Sequence, residues 1–365
     1  MKWPDAEGLA LEDLTVPRPG SSTLREVWSR ALKRCLLDVL SLRPPAQCGD
    51  WSGTRAAVAS LAKSKPGALF SALRQPGIGT RIRCLRDPSR TDIDRVAVCR
   101  SLQAALAHEL AEVWTGPAPT GPAFTSWRAR GRVRDGACEH RDDEGSLFVA
   151  VDADLFLCRA DDSPLALQEA HPDKDGNRTS LGGRSEDAWA ASLRAALEVI
   201  EQGLPALRDE IRLALRQVVP VGYDAHAHLS ASFRENLGTA YLSLHPQGMT
   251  MAEAVVHEFS HNKLNALFEL DTVLHNAFEP LFASPVRPDP RPLHGVLLAV
   301  HAFMAVEALY RALRGRGHPA CEEPGFERRF EQIVRGNREG LQTLENAEPT
   351  PVGARLLSEL RSLAR

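Results

Sequence analysis

The sequence has little that would place it in a membrane or an oxidising compartment. No uninterrupted apolar run approaches the ~20 residues needed to cross a bilayer. The first residues, Met1-Lys2-Trp3-Pro4-Asp5, carry no apolar stretch of the secretory kind, which favours a cytoplasmic protein. The seven cysteines are odd in number, scattered, and contain no C-x-x-C pair. That argues against a disulfide framework and against zinc held by thiolates, and for reduced, mostly buried thiols. Neither sign of charge dominates: 44 Lys and Arg face 47 Asp and Glu, for a net charge of -3. Electrostatics therefore offers no reason to expect nucleic acid or an anionic membrane as a partner. Internal repeats and low-complexity tracts are missing as well.

What remains is an ordinary globular composition, 43% hydrophobic and 25% charged over 365 residues. A breaker cluster, Gly116-Pro117-Ala118-Pro119-Thr120-Gly121-Pro122, marks a boundary. It is expected to separate an N-terminal helical region, 1–115, from a second domain, 116–365, whose helix over 249–270 carries the candidate site. Residues 1–20 read as an irregular lead-in. Helical spacing of apolar residues covers 22–42, 51–63, 67–73, 91–114 and 186–218, the last broken near Gly203-Leu204-Pro205. It returns over 249–270, 293–314, 324–344 and 351–364. Residues 75–79 read as a turn, and 146–151, 155–158, 218–223 and 238–244 as strands. The expected fold class is α+β, mainly helical, with a small β-sheet next to one functional helix.

That helix carries Val255-Val256-His257-Glu258-Phe259-Ser260-His261, an H-E-x-x-H motif. On a helix, His257 and His261 are one turn apart on the same face, where two imidazoles can grip one metal ion. Glu258, rotated by roughly 100°, can reach a water or substrate atom on that metal. Thr250 followed by Glu253 has the spacing of a capping box for the helix start. Nine of the twelve histidines fall between His226 and His318, crowding metal-capable side chains around the motif. His226 and His228 alternate on an extended stretch and point the same way, toward the site or toward solvent.

Two histidines need a third protein ligand. The metzincin pattern is excluded, because Leu264 and Leu267 stand where its glycine and third histidine belong. Glu279, 18 residues after His261, has a spacing compatible with helix-borne glutamates of zinc peptidases. His294 is the preferred third ligand, since it opens the next helix after a Pro-stiffened loop that can hold one side chain in place. His275 is a weaker alternative. His301 reads as a core histidine and Glu307 as an exposed carboxylate, with a supporting contact to a ligand histidine as the other option. The loop itself, Arg287-Pro288-Asp289-Pro290-Arg291-Pro292, presents Arg287 and Arg291. They can clamp the carboxylate of a cosubstrate or of a peptide, or merely pin the loop through Asp289.

Several stretches together resemble a known family. They are Leu229-Ser230-Ala231-Ser232, Gly238, Val256 to Leu264, and Arg287 through Leu297. The chain resembles the H-E-x-x-H peptide-modification proteins of ribosomal-peptide gene clusters, described as α-ketoglutarate-dependent peptide β-hydroxylases. The R-P-D-P-R-P segment is the most specific part, and the likeness extends weakly to Lys65-Pro66-Gly67 and Gly79. Phe259-Ser260 departs from it, where many relatives carry a polar pair. The resemblance implies iron(II), α-ketoglutarate and O2, with a precursor peptide as the hydroxylated partner. The motif alone equally suits a zinc-dependent metallopeptidase, in which Glu258 is the general base. A non-enzymatic peptide-binding protein with a structural metal is the third reading.

Overall fold

The computed structural model describes residues 5–9, 11–118, 121–139, 147–165, 178–282 and 290–365. The chain is α+β and mainly helical. It begins with α1 (Thr23–Ser41), α2 (Trp51–Ser64), α3 (Pro66–Leu73), α4 (Pro76–Arg86) and α5 (Arg95–Glu109). A meander follows, β1 (Phe124–Ser126), β2 (Gly131–Arg134) and β3 (Ala137–Glu139), and then β4 (Phe148–Ala150) and β5 (Phe156–Cys158). Next come α6 (Glu186–Gly203), α7 (Pro205–Ala214), β6 (Gln217–Tyr223), β7 (Ser230–Ala231) and β8 (Thr239–Leu244). The motif helix is α8 (Gly248–Phe268). The ribbon β9 (Leu281–Phe282) and β10 (Arg291–Pro292) leads to α9 (Leu293–Gly315), α10 (Phe326–Thr343) and α11 (Pro351–Leu363).

The expected turn at 75–79 is instead the start of α4. Pro76 stands at the first helical position, where its fixed φ is pre-set and its missing N–H costs nothing. Ile78, Ile82 and Leu85 then bury one face in the N-terminal core, and that burial outweighs the two glycines. The helix expected over 91–114 shortens to α5 because Asp94 accepts from the N–H groups of Val96 and Ala97 and so caps it later.

The main sheet has the order β4-β5-β6-β8-β7. Strands β5, β6 and β8 are parallel, while β4 and β7 close the two edges antiparallel. Parallel strands are covered on both faces, and every residue of β8 is buried. One large apolar cluster joins this sheet to α6, α8, α9 and α11. A second joins α1 to α5 and extends to Phe124 and Val133. The lead-in and α1 link the two clusters. Leu9, Leu11 and Leu14 of the lead-in pack in the large cluster, and α1 contributes Leu24, Val27 and Trp28 to it and Cys35, Leu36 and Val39 to the other. Helix α9 is long and apolar enough to span a bilayer, but 72% of its most apolar stretch is buried in the protein, so it is a core helix.

Candidate metal centre

Helix α8 is bolted in place from behind. The Asn262 side chain accepts from the Gly238 N–H at 2.7 Å and donates to the Thr239 carbonyl at 3.1 Å, tying the helix to the start of β8. Gly238 sits at φ +91°, where a side chain is strained, and an added Cβ would lie 3.2 Å from the Ala214 carbonyl. One helical step further, Lys263 is fully buried and donates to Glu210 of α7 at 2.5 Å. The expected capping box does not form. The helix begins at Gly248, ahead of Thr250, and the Glu323 carboxylate accepts from the Met249 N–H at 3.2 Å. Glu253 turns instead to Arg329, an ion pair, and accepts from the Tyr310 hydroxyl at 3.0 Å.

On the working face, His257 and His261 bring their Nε2 atoms to 2.9 Å. Among the described residues, His257, Glu258 and His261 are the group whose ligand atoms lie close enough for a metal, all within 4.8 Å of one another. Burial holds the His257 imidazole well below its ordinary pKa, and the neighbouring His261, Arg329 and His228 push the same way. Burial lowers His261 too, against an opposing pull from Glu258. Both rings are thus neutral at pH 7, the form that offers a lone pair to a metal. Oε2 of Glu258 and the Nδ1 atoms of both histidines are buried without a hydrogen-bond partner. Two neutral imidazoles converging beside a carboxylate with an orphaned oxygen fit a divalent cation, which satisfies charge and lone pairs together.

His257 opens on a cavity of about 720 Å³. One wall is the stretch leading into β7, where His226, His228 and Ser230 alternate into the space. The opposite wall includes Phe303 of α9 and Arg329 of α10. Phe303 lies 4.6 Å from the His257 ring, and the Arg329 guanidinium 5.6 Å from the Phe303 ring. Arg329, Tyr310 and His245 were not legible as site residues. Tyr310 and Arg329 reach the cavity from α9 and α10, distant in sequence, which leaves no local spacing to read, whereas His245 stands in the short connection between β8 and α8.

His294 does not join the group. Helices α8 and α9 run antiparallel: His257 meets Phe303, Glu253 meets Tyr310, and Phe268 meets His294. Helical side chains lean toward their own N-terminus. His261 therefore leans toward His257, whereas His294 leans the other way, between Phe268 at 4.5 Å and Phe278 at 5.1 Å. Burial, with smaller effects from Arg234 and His261, lowers the His294 pKa to about 4. Glu279 is exposed. His301 is a fully buried core histidine. Glu307, expected exposed, is buried and accepts from Arg311 and Asn337, away from the ligands. Arg291 is on β10, just ahead of α9, and Arg287 lies outside the described residues. No family model and no curated protein sequence matches the chain.

Proposed function

We propose that the protein is a metal-dependent oxygenase that hydroxylates a side chain of a peptide, using iron(II), α-ketoglutarate and O2. In the overall reaction R–H, α-ketoglutarate and O2 become R–OH, succinate and CO2. The observation that carries this reading over hydrolysis is the placement of Glu258. It is 2% exposed and does not line the cavity, whereas His257 does. A general base for hydrolysis must reach a water on the open side of the metal. The open space beside His257 is the cavity, and Glu258 is not among the residues that line it. Bound iron supplies the oxygen-activating chemistry. The chain's own residues do the rest. His257 and His261 hold the ion, Phe303 covers the His257 ring, and Arg329, paired with Glu253, lines the cavity beside them. Arg287 and Arg291 remain the proposed carboxylate contacts.

The peptide partner is supported by β7, the outer edge of the sheet beside α8. Leu229 pairs inward with Ser243, so alternation turns the backbone of His228 and Ser230 outward, where an extended peptide can add as a strand. The same edge strand beside H-E-x-x-H favours the second reading, a zinc metallopeptidase. One assay separates them: a peptide encoded beside the gene, incubated with iron, α-ketoglutarate and air and followed by mass spectrometry. A gain of one oxygen coupled to succinate is expected. Equal product without O2 would sink the oxygenase, and peptide fragments with zinc-loaded protein would favour the peptidase. Metal bound without any turnover would leave a peptide-binding protein with a structural metal.

A further inference from the structure

The Glu258 carboxylate is almost wholly buried, yet Oε2 has no hydrogen-bond donor, and among the described residues no lysine or arginine pairs with it. Folding does not bury a carboxylate with an empty oxygen unless something compensates it. One nitrogen from each histidine and one Glu258 oxygen lie within 4.8 Å of one another. A cation placed among the three satisfies all of them at once. The spacing permits it. Glu258 and His261 form Glu-x-x-His, the i, i+3 pairing by which helices present a carboxylate and an imidazole to one iron. Glutamate's flexible arm covers the offset from His257.

We infer that Glu258 is itself a metal ligand, so that His257, Glu258 and His261 hold the ion from a single helix. This rests on the metal-centre reading above and assigns Glu258 a role other than general base. Two imidazoles and one carboxylate are the ligand set that suits iron(II) with open positions, and those positions would face the cavity. His294 is then not required for the metal.

The test compares the full-length wild type with Glu258→Gln, Glu258→Asp, His257→Ala and His294→Ala. Anaerobic titration with iron(II) or cobalt(II) is followed by calorimetry and by the visible spectrum of the cobalt form. Glu258→Gln is expected to weaken binding about a hundredfold or more and to change the cobalt spectrum. His294→Ala should bind within about threefold of wild type. Metal-free Glu258→Gln should keep a cooperative melting transition like that of the metal-free wild type, which shows that the variant folds. Should it not fold, Glu258→Asp decides, since its retracted carboxylate must weaken binding if Glu258 is a ligand. Binding within about threefold and an unchanged spectrum in the glutamate variants would overturn the inference while leaving the metal centre standing. If the wild type takes up no metal, or if His257→Ala takes up as much, the metal-centre reading fails first.

Discussion

Lys263 shows how much of the motif helix depends on a residue that never meets the cavity. Its ammonium is fully buried, 2.5 Å from Glu210, and reaches the Thr15 carbonyl at 3.4 Å. Burial raises the Glu210 pKa despite Lys263. The pair is therefore costly to form but costlier to break. Lys263→Met should lose about 3–5 kcal/mol in a denaturant titration, because Glu210 stays buried without its partner. The double variant Lys263→Met/Glu210→Gln should recover most of that loss. At the metal, His257→Ala and His261→Ala should each take the bound metal from near one per chain toward none by elemental analysis, with the helical circular dichroism unchanged. Retention of metal by both would remove the two histidines from the site.

The motif helix ends in a charge network built by helices from the other end of the chain. Glu269, just past α8, accepts from Arg86 of α4 at 2.5 and 2.9 Å, and Arg34 of α1 donates to its carbonyl at 2.6 Å. Asp38 of α1 shares Arg86 at 3.2 Å. The two carboxylates titrate in opposite senses. Although burial pushes Glu269 upward, Arg86 and Arg83 together win and lower its pKa from 4.5 to about 2. Its contribution is present above pH 4.5 and is lost as the pH falls from 4.5 toward 2. Burial dominates at Asp38 and raises its pKa from 3.8 to about 6. The folded state holds that proton more tightly, so Asp38 favours folding below pH 3.8 and this advantage disappears by about pH 6. Melting temperatures measured across this range should lose their acid limb in Glu269→Gln and their pH 4–6 slope in Asp38→Asn. Wild-type pH dependence in both variants would show that the network does not set it.

At the scale of the whole molecule, the lead-in is a structural part and not a tail. Leu9, Leu11 and Leu14 are at most 5% exposed. The backbone N–H groups of Leu14 and Thr15 are accepted by Glu359 of α11 at 3.1 and 2.7 Å. This joins the start of the chain to its last helix, beneath Lys263. Burying three leucines contributes roughly 5–9 kcal/mol, comparable with the whole stability of a typical domain. A chain starting at residue 21 should therefore show no cooperative thermal transition, while Leu14→Ala in the full chain should cost about 2–5 kcal/mol. Cooperative melting of the truncated chain near the wild-type temperature would refute this.

The helices with strong apolar spacing, the strands entering α8 and the His257/His261 pair follow from local sequence. Periodicity and one-turn spacing are short-range properties, and a helix expresses them wherever it is packed. The start of α4 was hidden because glycine and proline read as a turn until burial of Ile78 and Ile82 is counted. The remainder depended on direction and distance between elements. The preference for His294 was reasonable from its position after a stiff loop, but the antiparallel crossing of α8 and α9 turns its ring onto two phenylalanines. The burial of Glu258, the cavity beside His257 and the arrival of Arg329 likewise come from tertiary packing. Spacing along one helix determines which side chains can share a metal; only the packing around that helix decides which of them face solvent, substrate or the ion.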